Sequence, residues 1–181
     1  EEDLFRDQFS EIVKIALILD RDFFFSMEDP FNRAVELKKK VVSLDGKDEG
    51  IRQILNYGHT FAHALEAISS YKVSHGKAVH MGIYFASLLS YNLGILDVSD
   101  WEILKERLGK EFSTSVFDSI DIEELYSAML LDKKNRSKDP HFILISKIGS
   151  VYKKDKKVAH PVSKSVVLNA LRALKSGVLC V

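Results

Sequence analysis

Four of the six histidines in this 181-residue chain, His59, His63, His75 and His80, fall within one window of 22 residues. Imidazole at that density points to divalent-metal binding or proton transfer. His59 and His63 stand four residues apart, which on a helix sets their rings on one face, about 6 Å apart at Cβ. Extending that face backwards adds Asn56 and Arg52, while Leu55, Phe61 and Leu65 turn away from it. A helix that already owns an apolar face to bury gains nothing in packing from a line of cation, amide and two imidazoles. The stripe therefore reads as a site. It is not the metalloprotease signature, which needs Glu directly after the first His, where this chain has Thr60.

A catalytic zinc takes three protein ligands and keeps an open position. His59 lies mid-stripe and His75 just before Gly76, at the start of the next helical pattern. A carboxylate must complete the set, and spacing does not choose it from the 26 acids. Glu11 stands out because Lys14 follows one turn later among mostly apolar neighbours, and an acid and a base on a largely buried face need partners.

The elements that must position these residues are mainly helical. Apolar residues at Phe5, Phe9, Ile12, Val13, Ala16 and Leu19 predict one amphipathic helix over 4–25, stopped by Pro30. A second is expected over 32–43, and a polar loop follows at 45–50. Ile54, Leu55, Phe61, Leu65 and Ile68 predict one long helix over 51–68. The helix over 76–92 is apolar on nearly every side and belongs at the centre of a bundle, with Gly94 at its C-terminal end. Ser99 with Glu102 fits a capping box for a helix closed by Gly109, Asp121 caps one over 122–134, and 163–175 forms a terminal helix. Between them, alternation from Phe142 to Ser146, then Gly149 and Val151-Tyr152, predicts a short β-hairpin within 141–153. No repeat, low-complexity linker or second domain interrupts residues 1–181.

Composition sets outer bounds. Hydrophobic residues make up 46% and charged residues 29%, enough for a single domain with a core. Lys plus Arg and Asp plus Glu number 26 each, so no overall field draws nucleic acid or an anionic membrane. The longest apolar run, Ile15 to Leu19, falls far short of the roughly 20 residues of a span. The lone cysteine, Cys180, cannot form an internal disulfide, which fits a reducing cytoplasm. The chain shows no secretory leader, and its opening, Glu1-Glu2-Asp3 without Met, leads us to expect a fragment.

Residues Asn56-Tyr57-Gly58-His59-Thr60-Phe61-Ala62-His63-Ala64-Leu65-Glu66, then His75-Gly76-Lys77-Ala78-Val79, closely resemble the central signature of the 3-dehydroquinate synthase family. Ser10-Glu11-Ile12-Val13-Lys14 is similar to that family's Glu-x-x-Lys segment. Asp132-Lys133-Lys134-Asn135, Phe142 to Ile145 and Ile148-Gly149 resemble its later segments, in the family's order. The resemblance implies the multi-helix C-terminal domain of that family, with zinc (or cobalt) held by Glu11, His59 and His75. It further implies catalytic roles for Lys14, His63 and Lys133, and substrate binding by Lys38, Arg52 and Asn56. The substrate would be a seven-carbon sugar acid phosphate, whose anionic groups suit converging Lys and Arg side chains. The family holds NAD mainly on an N-terminal domain, and no Gly-rich nucleotide fingerprint occurs here. The expectation is thus a cytoplasmic enzyme, homodimeric at full length, whose isolated C-terminal part binds metal weakly, if at all, and does not turn over.

Two departures from the family pattern stand out: Lys77 replaces an acid or Gln, and the stretch from Phe25 to Lys38 is shorter by a few helical turns. Two rivals are a cyclase for another sugar phosphate and a non-catalytic helical assembly domain with a vestigial site.

Overall fold

A computed structural model describes residues 2–45, 50–110, 112, 114–131 and 138–177. The first helix, α1, spans Glu2–Leu19, and Ile12 to Ile18 is buried without a break. It does not reach residue 25. Asp20 turns extended, accepts from the Phe23 N–H and so restarts the chain as the N-cap of α2, Arg21–Ser26. Met27, left-handed at φ 47°, ends α2. Pro30 opens α3, Pro30–Leu44, instead of stopping a helix, because its fixed φ and missing N–H suit a first turn.

The single helix expected over 51–68 is two elements. A 3-10 turn covers Ile51–Asn56, Gly58 takes φ 81°, and α4 runs His59–Ile68. The cause lies outside the segment. Gly58 rests on the backbone of the central helix α5, His75–Asn92, where a Cβ on Gly58 would come 2.7 Å from Ile83 N. A Cβ on Gly82 would come 2.0 Å from the Gly58 carbonyl oxygen. Two facing glycines let the backbones touch, and that contact overrides the helical period.

From Ala78 to Ser90, α5 is buried on every side, the axis around which α1, α4, α6 (Val98–Gly109) and α8 (Lys164–Lys175) pack. The cap of α6 is Asp97, not Ser99; its carboxylate accepts from Asp100 N at 2.8 Å and from the Ser99 hydroxyl at 2.7 Å. A second 3-10 turn, Thr114–Ser119, precedes α7, Ile122–Leu130, which Asp121 caps as expected.

The hairpin is split. Strand β1 (His141–Ile143) pairs antiparallel with β4 (Ala159–Pro161), and β2 (Ile145–Lys147) with β3 (Ser150–Val151) around Gly149. Phe142 to Ile145 is buried throughout, so the expected alternation between two faces does not exist. Gly149 N donates to the Leu17 carbonyl at 2.7 Å, an oxygen near the α1 terminus. Asp100 then joins three elements, accepting from Arg21 Nη1 at 2.8 Å and from Ile148 N at 2.8 Å.

Candidate metal centre

Three elements, α1, α4 and α5, meet at one site. Glu11 projects from the middle of α1, His59 opens α4 and His75 opens α5. One donor atom from each lies within 4.8 Å of the other two, the group of three that could hold an ion among the described residues. His59 Nε2 stands 3.5 Å from Glu11 Oε1. Zinc at about 2.0–2.2 Å from each ligand needs tetrahedral neighbours roughly 3.4 Å apart. One edge already has about that length, and the other two are no longer than 4.8 Å.

The protonation states suit a cation. Burial pulls the Glu11 carboxyl up, but Lys14, His59 and Lys38 together hold it below the usual carboxylate range. Burial, then the Lys14 charge, pushes His59 down to about 4, so its ring is neutral near pH 7. The His59 Nδ1 faces the Tyr57 carbonyl at 3.2 Å, an oxygen that only accepts, which leaves Nε2 with its lone pair toward Glu11. Lys14 is buried, with Nζ 2.8 and 2.9 Å from the two Glu11 oxygens, and burial, opposed by Glu11, lowers its pKa.

Around this trio, His63 is exposed and meets His59 edge-on, ring centroids 5.3 Å apart. Lys38 is exposed on α3 and lines, with Glu11 and His75, a cavity of about 400 Å³ whose floor is Ile12, Ile15 and Ala34. Two backbone anchors hold the frame. Gly76 N donates to Asp7 Oδ1 at 2.7 Å, tying α5 to α1, and Thr60 donates to the His141 carbonyl at 2.8 Å, tying α4 to β1.

With this geometry in place, similarity to known proteins becomes informative. The profile of the family described as 3-dehydroquinate synthase C-terminal matches residues 9–135. The chain belongs to that family. The 3-dehydroquinate synthase of Campylobacter fetus is 36% identical over 178 residues, covering 92% of this chain and 50% of that protein. That of Wolinella succinogenes is 36% identical over 176 residues, covering 91% and 49%. The chain thus spans about half the length of these curated relatives. Two solved structures share the fold at 20% identity. One is a 2-deoxy-scyllo-inosose synthase with carbaglucose-6-phosphate, NAD+ and Co2+ (TM-score 0.75; 94% of this chain, 51% of that one). The other is a Streptomyces hygroscopicus 2-epi-5-epi-valiolone synthase with NAD+ and Zn2+ (TM-score 0.76; 95% and 51%).

Within this 3-dehydroquinate synthase C-terminal fold, the structure brings together Glu11, Lys14, Lys38, His59, His63 and His75. Arg52 and Asn56 are half-buried on the 3-10 turn, so the break at Gly58 removes the single helical line that joined them to His59 and His63. Lys133 lies outside the described residues. His80 belongs to the core, where Nε2 meets the Leu108 carbonyl at 2.8 Å. Sequence reasoning assigned no role to Asp7 or Glu66, although each lies on the site face of its helix: Asp7 one turn before Glu11, Glu66 seven residues after His59.

Proposed function

We propose that this chain is the metal- and substrate-holding part of a 3-dehydroquinate synthase, which converts a seven-carbon sugar acid phosphate to 3-dehydroquinate and phosphate. The observation that carries the proposal is the convergence of Glu11, His59 and His75 donors within 4.8 Å, beside Lys14 and Lys38. One carboxylate and two imidazoles are a zinc donor set, and cobalt suits it too. A divalent ion held there would acidify a bound hydroxyl and polarise a carbonyl. NAD would supply the hydride chemistry, held chiefly by the part of the relatives that this chain does not span.

The chain's own residues have distinct tasks. Lys14 holds the Glu11 carboxylate ionised and in place. Lys38, Arg52 and Lys133 bind the carboxylate and phosphate of the substrate, Arg52 through its planar fork. Asn56 orients hydroxyls. His63, accessible and next to His59, exchanges a proton with a substrate hydroxyl near the ion. A cytoplasmic homodimer belongs to the same proposal, its state read by sedimentation.

A second reading, a cyclase for another sugar phosphate, draws on the shared fold of the two solved cyclases. One experiment separates the two and also tests for a vestigial site: turnover by this chain joined to the half its relatives carry, with NAD. Dehydroquinate formed from the seven-carbon substrate and abolished by a chelator is expected. Turnover of a different sugar phosphate supports the second reading, and a protein without metal or turnover refutes both.

A further inference from the structure

We propose that Glu66 is a positioning residue that sets the tautomer and orientation of His75 before any ion arrives. This rests on the metal reading above for its purpose, but not for its geometry.

The two histidines of the trio are held differently. His59 opens α4 and borrows a carbonyl two residues back, so its own backbone turn orients it. His75 has no such local partner. It opens α5 after the turn at 69–74, and its side chain is 45% exposed, an environment in which a ring ordinarily rotates. The Glu66 carboxylate, only 13% exposed near the end of α4, reaches across to it, Oε1 lying 3.0 Å from His75 Nδ1. With Nδ1 donating to that oxygen, the proton of a neutral ring sits on Nδ1 and the lone pair on Nε2. Both imidazoles then present the same nitrogen, and each is oriented by an acceptor on the far side of its ring. A carboxylate behind a metal-binding imidazole fixes the ring and raises its basicity. Asp7 holds the same turn at the backbone through Gly76 N, 2.7 Å away, so the segment carrying His75 is fixed at both main chain and side chain.

The simpler alternative is an interhelical ion pair between a charged His75 and Glu66 that stabilises the turn. The two differ in what a neutral ring does and in what glutamine does. Glutamine keeps an acceptor oxygen at the same reach but abolishes the charge.

The test uses nitrogen-15 NMR of the imidazoles in the metal-free 181-residue chain at pH about 8, where free imidazole is neutral, followed by cobalt(II) titration. The expected result is Nδ1–H at His75 in the wild type, lost in Glu66→Ala and kept in Glu66→Gln. Cobalt affinity should fall about 10–100-fold in Glu66→Ala and largely recover in Glu66→Gln. An Nε2–H ring in the wild type, an unchanged tautomer in Glu66→Ala, or equal cobalt affinity in the two proteins overturns the proposal. A wild-type chain that shows Nδ1–H but takes no cobalt, even when joined to the half its relatives carry, overturns the metal reading instead and leaves Glu66 as the residue that orients His75.

Discussion

Substituting Gly82 by alanine should damage a site that Gly82 never touches. The added Cβ would stand 2.0 Å from the Gly58 oxygen and 2.9 Å from its carbonyl carbon, where ordinary contact begins at 3.4 Å. The obstacle is backbone on both sides, so no flexible side chain can yield, and α4 and α5 must part by roughly 1.4 Å, the difference between those distances. Gly58 cannot absorb the shift by turning, since it sits at φ 81° with its own Cβ position 2.7 Å from Ile83 N. Its carbonyl accepts the Ala62 N–H at 3.1 Å and begins the helix that His59 opens. Overpacking of this kind costs typically 1–3 kcal/mol, and a backbone clash belongs at about 3. For a chain of this size that lowers the melting temperature by roughly 6–12 °C. Displacing His59 from Glu11 should also weaken cobalt(II) binding about tenfold or more. Gly109→Ala is the control: the nearest atom to its Cβ is Tyr84 Cε2 at 3.5 Å, and helix propensity favours alanine by about 0.5–1 kcal/mol. Thermal unfolding and cobalt titration of both variants decide it. If Gly82→Ala matched Gly109→Ala in melting temperature and kept wild-type cobalt affinity, the glycine contact would not be what positions His59.

Other consequences follow from single residues. Asp100→Ala leaves the buried Ile148 N–H without its acceptor and Arg21 without its carboxylate, and should cost about 2–4 kcal/mol by urea unfolding, with Asp100→Asn milder. His80→Ala should lower stability while leaving metal affinity unchanged, because its ring serves the Leu108 carbonyl and not the trio. The Phe23 N–H, then Arg33, hold the Asp20 carboxyl below its ordinary value. A depressed carboxylate contributes stability above its unfolded pKa, lost as pH falls through the folded one. The wild type should therefore lose more stability than Asp20→Ala between pH 7 and about 3 in paired urea titrations, and Asp20→Ala should cost about 1 kcal/mol at pH 7.

The helices are legible where periodicity and caps are local. The all-apolar 76–92 stretch had to be central, and Asp121 had to begin α7. The breaks were not legible, because their causes are not local in sequence. Nothing near Gly58 announces that α5 will press a second glycine against it, and Asp20 looks like one more polar residue on a helix until its carboxylate is seen to accept from Phe23 N. The three-residue β4 is too short for alternation to register, and Pro161 argues against a strand there except at an edge. For the site, the histidine cluster was plain from spacing, while Glu11 was marked among 26 acids only by Lys14 and its apolar neighbours until the family resemblance selected it as a ligand. Lys38 joins the site although the stretch before it is short, since α3 packs along α1 and lines the same cavity.

The most direct test is an anomalous difference map at the zinc absorption edge, from crystals of this chain joined to the half its relatives carry and soaked in millimolar zinc. A single peak between Glu11, His59 and His75, absent from His59→Ala crystals, is the expected result. A map with no peak there, or with zinc held elsewhere while those three side chains stand apart from it, would contradict the assignment.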